Sequence, residues 1–159
     1  MRKRIGHFIF LLGLVFLDQY SKLLAAQYLK GKNSIELIKD FFYLTYAENS
    51  GAAWSILQGQ TVFFIIAGVT ATVCFIVWYF KTSRSLSQFA IVMIIAGTLG
   101  NLTDRLLMGD VRDFLNFFIF NYDFPIFNFA DAFLTLGMIF MIVDIILEEN
   151  YDSRKNNNK

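Results

Sequence analysis

Four long stretches of the chain are almost purely apolar, and polar segments separate them. They lie at about 5–29, 61–80, 86–104 and 128–147, and the second, TVFFIIAGVTATVCFIVWYF, carries no charge at all. Runs of about 18 or more apolar residues read as membrane-spanning helices, because at about 1.5 Å per residue they reach across a hydrocarbon core of about 30 Å. Lipid offers no partners to backbone N–H and C=O groups, so each crossing segment must bond to itself as a helix. The pattern predicts an all-α integral membrane protein with four transmembrane helices, forming a single unit over 1–150. A polar tail over 151–159 follows, and its composition predicts disorder.

The segments between the helices differ in kind. Residues 30–60 are too long for a bare connection and too polar to span. Within them, IELIKDFFYLTYAENSGAAWSIL mixes aromatic and β-branched residues with an Asn-Ser-Gly turn signal. This predicts a small extracytoplasmic β element at about 33–58. Residues 105–127 read as a second loop, rich in Phe. No internal repeat is visible.

Composition supports the membrane assignment: 56% of the 159 residues are hydrophobic, only 17% are charged, and the mean hydropathy is +0.50. The net charge of +1 excludes little, so the positions of the charges matter more. With the N-terminus in the cytoplasm, the inner side holds Arg2, Lys3, Arg4, Lys81, Arg84, Arg154, Lys155 and Lys159. The outer side holds Lys30, Lys32, Lys39, Arg105 and Arg112, with Lys22 close by. The excess of Lys and Arg inside favours this orientation, with both termini cytoplasmic and the two long loops outside. The start, MRKRIGHFIFLLGLVFL, imitates a signal peptide, and LLAA at 23–26 offers small residues for cleavage. Asp18 and Lys22 interrupt the region before any such site, and helix formers continue to Leu29, so a retained first helix is expected. Cys74, the single cysteine, cannot form an internal disulfide and reads as a small hydrophobe.

Ionisable residues in membrane segments are costly and mark function by default. Asp18 and Lys22 lie four apart on one helix face, acid before base. They form either a neutralised pair that stabilises the bundle or snorkels outward, or the support of a polar site. Gly97 and Gly100 permit close helix approach, and Asn101, Asp104 and Arg105 bring polarity to the same helix end, where Asp104 and Arg105 could form an ordinary interfacial pair. Asp131 opens the fourth segment, where an aspartate can act as a helix N-cap. Asp113 taken alone is a loop residue. The topology puts both at the outer interface, and the loop between them is long enough to fold Asp113 back beside Asp131.

Two carboxylates held close cannot both ionise cheaply, so one retains a proton and the pair contains a base and an acid. One can draw a proton from water while the other polarises a carbonyl, as in aspartic proteases. Zinc and Ser-His chemistry need a histidine at the site, and the only one, His7, lies at the other side of the membrane. Asp144 is thirteen helical residues below Asp131, about 20 Å away. No nucleic-acid signature appears.

The chain resembles the lipoprotein signal peptidases (signal peptidase II), and five blocks in order carry the likeness. DQYSK at 18–22 resembles the family's Asp-x-x-[Ser/Thr]-Lys, and NSGAAWS at 49–55 its Asn-x-Gly-Ala block. GTLGNLTDR at 97–105 resembles its Gly-x-x-Gly-Asn-x-x-Asp-Arg block. GDVRDF at 109–114 and FNFADA at 127–132 resemble the two blocks with the catalytic aspartates. Thr103, where an apolar residue is usual, and Glu48, more acidic than expected before Asn49, depart from the pattern.

The resemblance implies that Asp113 and Asp131 are a catalytic dyad, with Asn49, Gly51, Asn101, Arg105, Asn128 and Ala130 lining or supporting the site. Asp18 and Lys22 would support it from the first helix. It implies a β-sheet cradle around the substrate and an extracytoplasmic loop over the site. The aromatics between the two aspartates serve either as that water-excluding lid or as interfacial anchors. The expected activity is that of an aspartic endopeptidase of the bacterial cytoplasmic membrane. It would cleave diacylglyceryl-modified prolipoproteins N-terminal to the lipidated cysteine, as a monomer in contact with membrane lipid and without metal or organic cofactor. Two other readings stay open on the residues alone. One is a transporter using Asp18, Lys22, Asp113 and Asp131 as a proton relay; the other is a scaffold without chemistry.

Overall fold

The computed structural model describes residues 2–51, 57–120 and 122–157. A first helix, α1 (Arg2–Leu29), is followed by strands β1 (Ile35–Ile38) and β2 (Phe42–Asn49). Helices α2 (Thr61–Lys81) and α3 (Ser85–Met108) come next, then strands β3 (Val111–Ile119) and β4 (Tyr122–Asp123), and finally helix α4 (Phe129–Asn157). All four helices are long and apolar enough to cross a membrane.

Helix α3 is the axis of the bundle. It packs against α1, α2 and α4, and its residues 90–97 are all buried. By contrast α2 buries no residue. Large apolar side chains such as Ile9, Phe16, Val62, Ile66 and Ile142 are exposed around the bundle, a surface that only lipid solvates well. Helices α3 and α4 pack tightly together, and glycine makes it possible. A Cβ on Gly137 would lie 2.7 Å from Ile94 Cγ1, and one on Gly97 would meet the Ala130 carbonyl oxygen and come within 2.7 Å of Leu134 Cγ. Small residues at such crossings let helix backbones touch, which is how helices associate in lipid.

One end of the bundle carries an antiparallel sheet of order β1-β2-β3-β4. The sequence places a β element only in 33–58. The structure corrects this, since β3 and β4 come from the segment expected to be a loop. Strand β3 pairs with β2, which lies more than sixty residues earlier, a pairing that no local pattern reveals. Residues 52–56 lie outside the described residues, and with them the far end of the predicted β element and the AAWS part of the second block. A second correction concerns the tail: α4 runs to Asn157. Residues 138–157 contain neither Gly nor Pro, so nothing interrupts the helix once formed.

At the opposite end, Arg84 donates through Nε and Nη2 to both carboxylate oxygens of Asp144, each at 2.9 Å, and pairs through Nη1 with Glu148. Ser87 also hydrogen-bonds Asp144. This staple ties the α2–α3 turn to the middle of α4, far from the sheet, and holds Asp144 thirteen residues along α4 from Asp131, away from the aspartate pair.

Candidate active site

Two local devices bring the aspartates together. Helix α3 ends at Gly109, whose φ of 88° turns the chain straight into β3. Asp113 is therefore the third residue of a strand that starts at the bundle surface. The segment entering α4 then pairs back on β3: Phe127 N donates to Leu115 O at 3.0 Å, and Phe127 O accepts from Leu115 N at 2.8 Å. That bridge sets Asn128 beside Asp113 and starts α4 there.

Asn128 is the hinge of the site. Its Oδ1 accepts from Asp131 N at 3.0 Å, and Asp131 Oδ2 accepts from Asn128 N at 3.2 Å. This is a reciprocal capping box, so the helix cap is Asn128 and Asp131 occupies its third position. The expectation that Asp131 itself is the N-cap is corrected accordingly. The Asn128 Nδ2 donates to Asp113 Oδ1 at 2.6 Å, so one residue bonds both carboxylates. Asp113 Oδ2 accepts from Asn49 Nδ2 at 3.1 Å, and Asp131 Oδ1 accepts from Asn101 Nδ2 at 2.7 Å. The Asn49 amide is oriented in turn, because its Oδ1 accepts from Gly51 N at 2.9 Å.

Behind the pair lies a buried ionic network. Asp18 and Lys22 are fully buried and paired at 3.0 Å, so neither snorkels outward. Asp18 Oδ1 accepts from Ala130 N at 2.8 Å and so satisfies a free donor of the first turn of α4. Lys22 Nζ donates to Asn101 Oδ1 at 2.9 Å. An ammonium can only donate, so this contact turns the amide oxygen of Asn101 inward and its NH2 toward Asp131. Ala130, fully buried, faces Gly100, where an added Cβ would come within 2.9 Å of its own.

The expected Asp104–Arg105 pair is not formed. Asp104 instead receives Arg112 through Nη2 at 2.7 Å and Nε at 3.1 Å, together with the Arg112 backbone N–H at 3.0 Å. Arg105 turns to the cavity, where its Nη2 donates to Gly51 O at 2.8 Å and its guanidinium lies 4.6 Å from the Phe64 ring centre. Gln19 joins the network through contacts to Asp18, Asp104 and Arg112. Gln19 and Arg112 are the members that sequence reasoning misses, although each adjoins a residue it singles out. The charges balance: Asp18 and Asp104 against Lys22 and Arg112, which makes burial of all four tolerable.

A cavity of about 670 Å³ opens over the pair. Asn49, Gly51, Asn101, Arg105, Asp113 and Asp131 line it, while Asp18, Lys22, Asn128 and Ala130 sit behind its wall. Of the aromatics between the aspartates, Phe124 and Phe127 line the cavity. Phe114 is buried, Phe117 stacks on Phe42, and Phe118 meets Tyr43 edge-on within the sheet. The two departures from the family pattern stay clear of the carboxylates. Glu48 is held by Lys30 at 2.5 Å and Tyr46 at 3.0 Å on the exposed face, and Thr103 bonds back to Leu99 O.

The electrostatics suit shared protonation. Burial, and then the charge of Asp131, push the Asp113 carboxyl up to about 7, against the donors Asn49 and Asn128, which favour its ionised form. Behind the pair, the hydrogen-bonded carboxylate of Asp104 on α3 holds the Arg112 guanidinium above its ordinary value.

The sequence model of the Signal peptidase (SPase) II family matches residues 10–147. The chain belongs to the signal peptidase II family. Among its relatives, the lipoprotein signal peptidase of Staphylococcus epidermidis is 44% identical over 135 residues, covering 84% of this chain and 83% of that protein. That of Staphylococcus carnosus is 40% identical over 146 residues, covering 91% and 89%. A bacterial membrane enzyme solved by the in meso method superposes with a TM-score of 0.84 at 37% identity, covering 91% of this chain and 89% of that one. The chain is therefore a multi-pass membrane protein with the family's fold, and the four helices with an antiparallel sheet at one end agree with the architecture expected from the sequence.

Proposed function

We propose that this protein is an aspartic endopeptidase that removes signal peptides from prolipoproteins, with Asp113 and Asp131 as its catalytic pair. One observation carries the reading: both carboxylates line a single cavity and are bonded by the same residue, Asn128. Water between them attacks the scissile carbonyl carbon. The ionised carboxylate takes the proton of that water while the protonated one gives its proton to the carbonyl oxygen. The tetrahedral diol then collapses: the C–N bond breaks, the amine leaves with a proton from the first carboxyl, and the second carboxylate recovers its own. The pair titrates as a unit, so the roles alternate through the cycle. The oriented amides of Asn49, Asn101 and Asn128 hold the carboxylates in place, and Arg105 offers donors to the substrate main chain.

The cavity sits at the sheet-bearing end of the bundle. With both termini cytoplasmic, as the Lys and Arg distribution favours, that end faces outward. The substrate's signal segment then lies alongside the helices in the bilayer and its cleavage site reaches the outer interface. By family resemblance the cut falls N-terminal to a diacylglyceryl-modified cysteine, whose lipid stays in the membrane. The protein works as a monomer in this scheme, since the described residues of one chain complete the site.

The test is cleavage of a lipid-modified prolipoprotein by the purified protein in lipid vesicles. The wild type should release the signal segment, and Asp113→Asn and Asp131→Asn should each abolish release while remaining folded. Normal cleavage by either variant refutes the dyad. A folded wild type that moves ions and cleaves nothing would establish the transporter reading instead.

A further inference from the structure

Helical threonines in a membrane normally return their hydroxyl to the carbonyl four residues earlier. Thr70, Thr72, Thr98 and Thr103 do so, each at 2.8 Å, and Thr61 donates to Gly109 O. Thr135 is the exception: among the described residues its hydroxyl has no partner, and it lines the cavity. It stands four residues after Asp131, on the same face of α4 and about 6 Å further along the helix axis, and its side chain is exposed on the open side of the cavity. The cavity wall around it is apolar, formed by Ile126, Leu134, Leu136 and Met138.

A bound substrate needs a partner at this depth. To present its bond to the carboxylates the chain must be unwound, and every unwound residue loses its intrahelical hydrogen bonds. In lipid each orphaned group costs several kcal/mol. Near the carboxylates Asn49, Asn101 and Arg105 can take such groups, whereas further along the cavity the described residues of the wall offer one hydroxyl. An extended chain advances about 3.3 Å per residue, so a point about 6 Å below Asp131 corresponds to about two residues.

We propose that Thr135 is a substrate-binding residue whose hydroxyl donates to a main-chain carbonyl of the signal segment about two residues before the cleaved bond. This rests on the peptidase reading and names part of how that site holds its substrate. Recognition through the main chain makes it indifferent to the side chain at that position, so it secures the unwound conformation for signal segments of different sequence.

The experiment compares wild type, Thr135→Val and Thr135→Ser on a synthetic lipopeptide substrate in vesicles, with thermal unfolding as the check on folding. Thr135→Val, nearly the same shape without the hydroxyl, should lower kcat/KM about tenfold, the effect of one unmade hydrogen bond. Thr135→Ser should recover most of the loss. A second substrate carries a backbone ester in place of the amide at that carbonyl, which weakens the acceptor. The ester should slow the wild type and add nothing to the loss in Thr135→Val. Wild-type efficiency in Thr135→Val, equal losses in Val and Ser, or additive losses from valine and ester each overturn the proposal while the peptidase reading stands. A folded wild type that leaves the lipopeptide uncut overturns both.

Discussion

Replacing Asp113 by Asn should flatten the dependence of stability on pH. In the folded protein burial and the charge of Asp131 raise this carboxyl from 3.8 to about 7. Between those two values the native state keeps a proton that the unfolded chain has released. Stability therefore falls with rising pH: the contribution is fully present below the unfolded value and is lost as pH passes through about 7. At about 1.4 kcal/mol per pH unit, the gap between 3.8 and about 7 amounts to roughly 4 kcal/mol. Asparagine keeps the shape but cannot titrate. It also turns an NH2 toward one of the two amide donors now bonding Asp113, so its absolute stability is a poor readout and the slope is the informative one. The assay is thermal unfolding in detergent, followed by circular dichroism, at pH 4 to 8. The wild type should lose stability over this range and the variant should lose distinctly less. Parallel curves for the two proteins would refute the reasoning, because they would mean that Asp113 titrates alike in the folded and unfolded states.

Arg112→Met should destabilise the protein by about 3–5 kcal/mol, read as a drop in unfolding temperature, because it leaves Asp104 buried beside a lost partner. Gly97→Ala should prevent α3 and α4 from closing and abolish accumulation of folded protein. Gly68→Ala, whose new Cβ would meet Leu102 Cδ1 at an ordinary 3.5 Å, should be tolerated; equal yields of the two variants would contradict the packing. The rate of prolipoprotein cleavage should decline as pH rises through about 7, as the pair loses its shared proton, and a rate still rising beyond pH 8 would contradict the assignment.

The helices are legible because lipid imposes a crude rule: length and apolarity suffice, so the extents of α1 and α2 agree with the hydrophobic runs. The sheet is half legible. The aromatic and β-branched stretch signals β1 and β2, but β3 depends on pairing with β2, which is set by tertiary contact. Its Phe-rich sequence looks equally suited to an interface. Asp113 and Asp131 stand out because a carboxylate near lipid needs an explanation. Asp104 is misleading, since its neighbour Arg105 offers an obvious partner, whereas the real one, Arg112, arrives only when Gly109 turns the chain. Gln19 is masked by Asp18 and Lys22. Its role depends on three contacts that exist only once α1, α3 and β3 are assembled.

Catalysis by this pair requires that two carboxylates occupy one buried site and influence each other's protonation. Titration of the side-chain carboxyl signals by NMR, on ¹³C-aspartate-labelled protein in micelles, tests this without reference to any substrate. Asp113 should titrate near 7 in the wild type, and lower in Asp131→Asn, where burial alone remains to raise it. An Asp113 that titrates near its ordinary 3.8 and is unmoved by Asp131→Asn would contradict the shared proton.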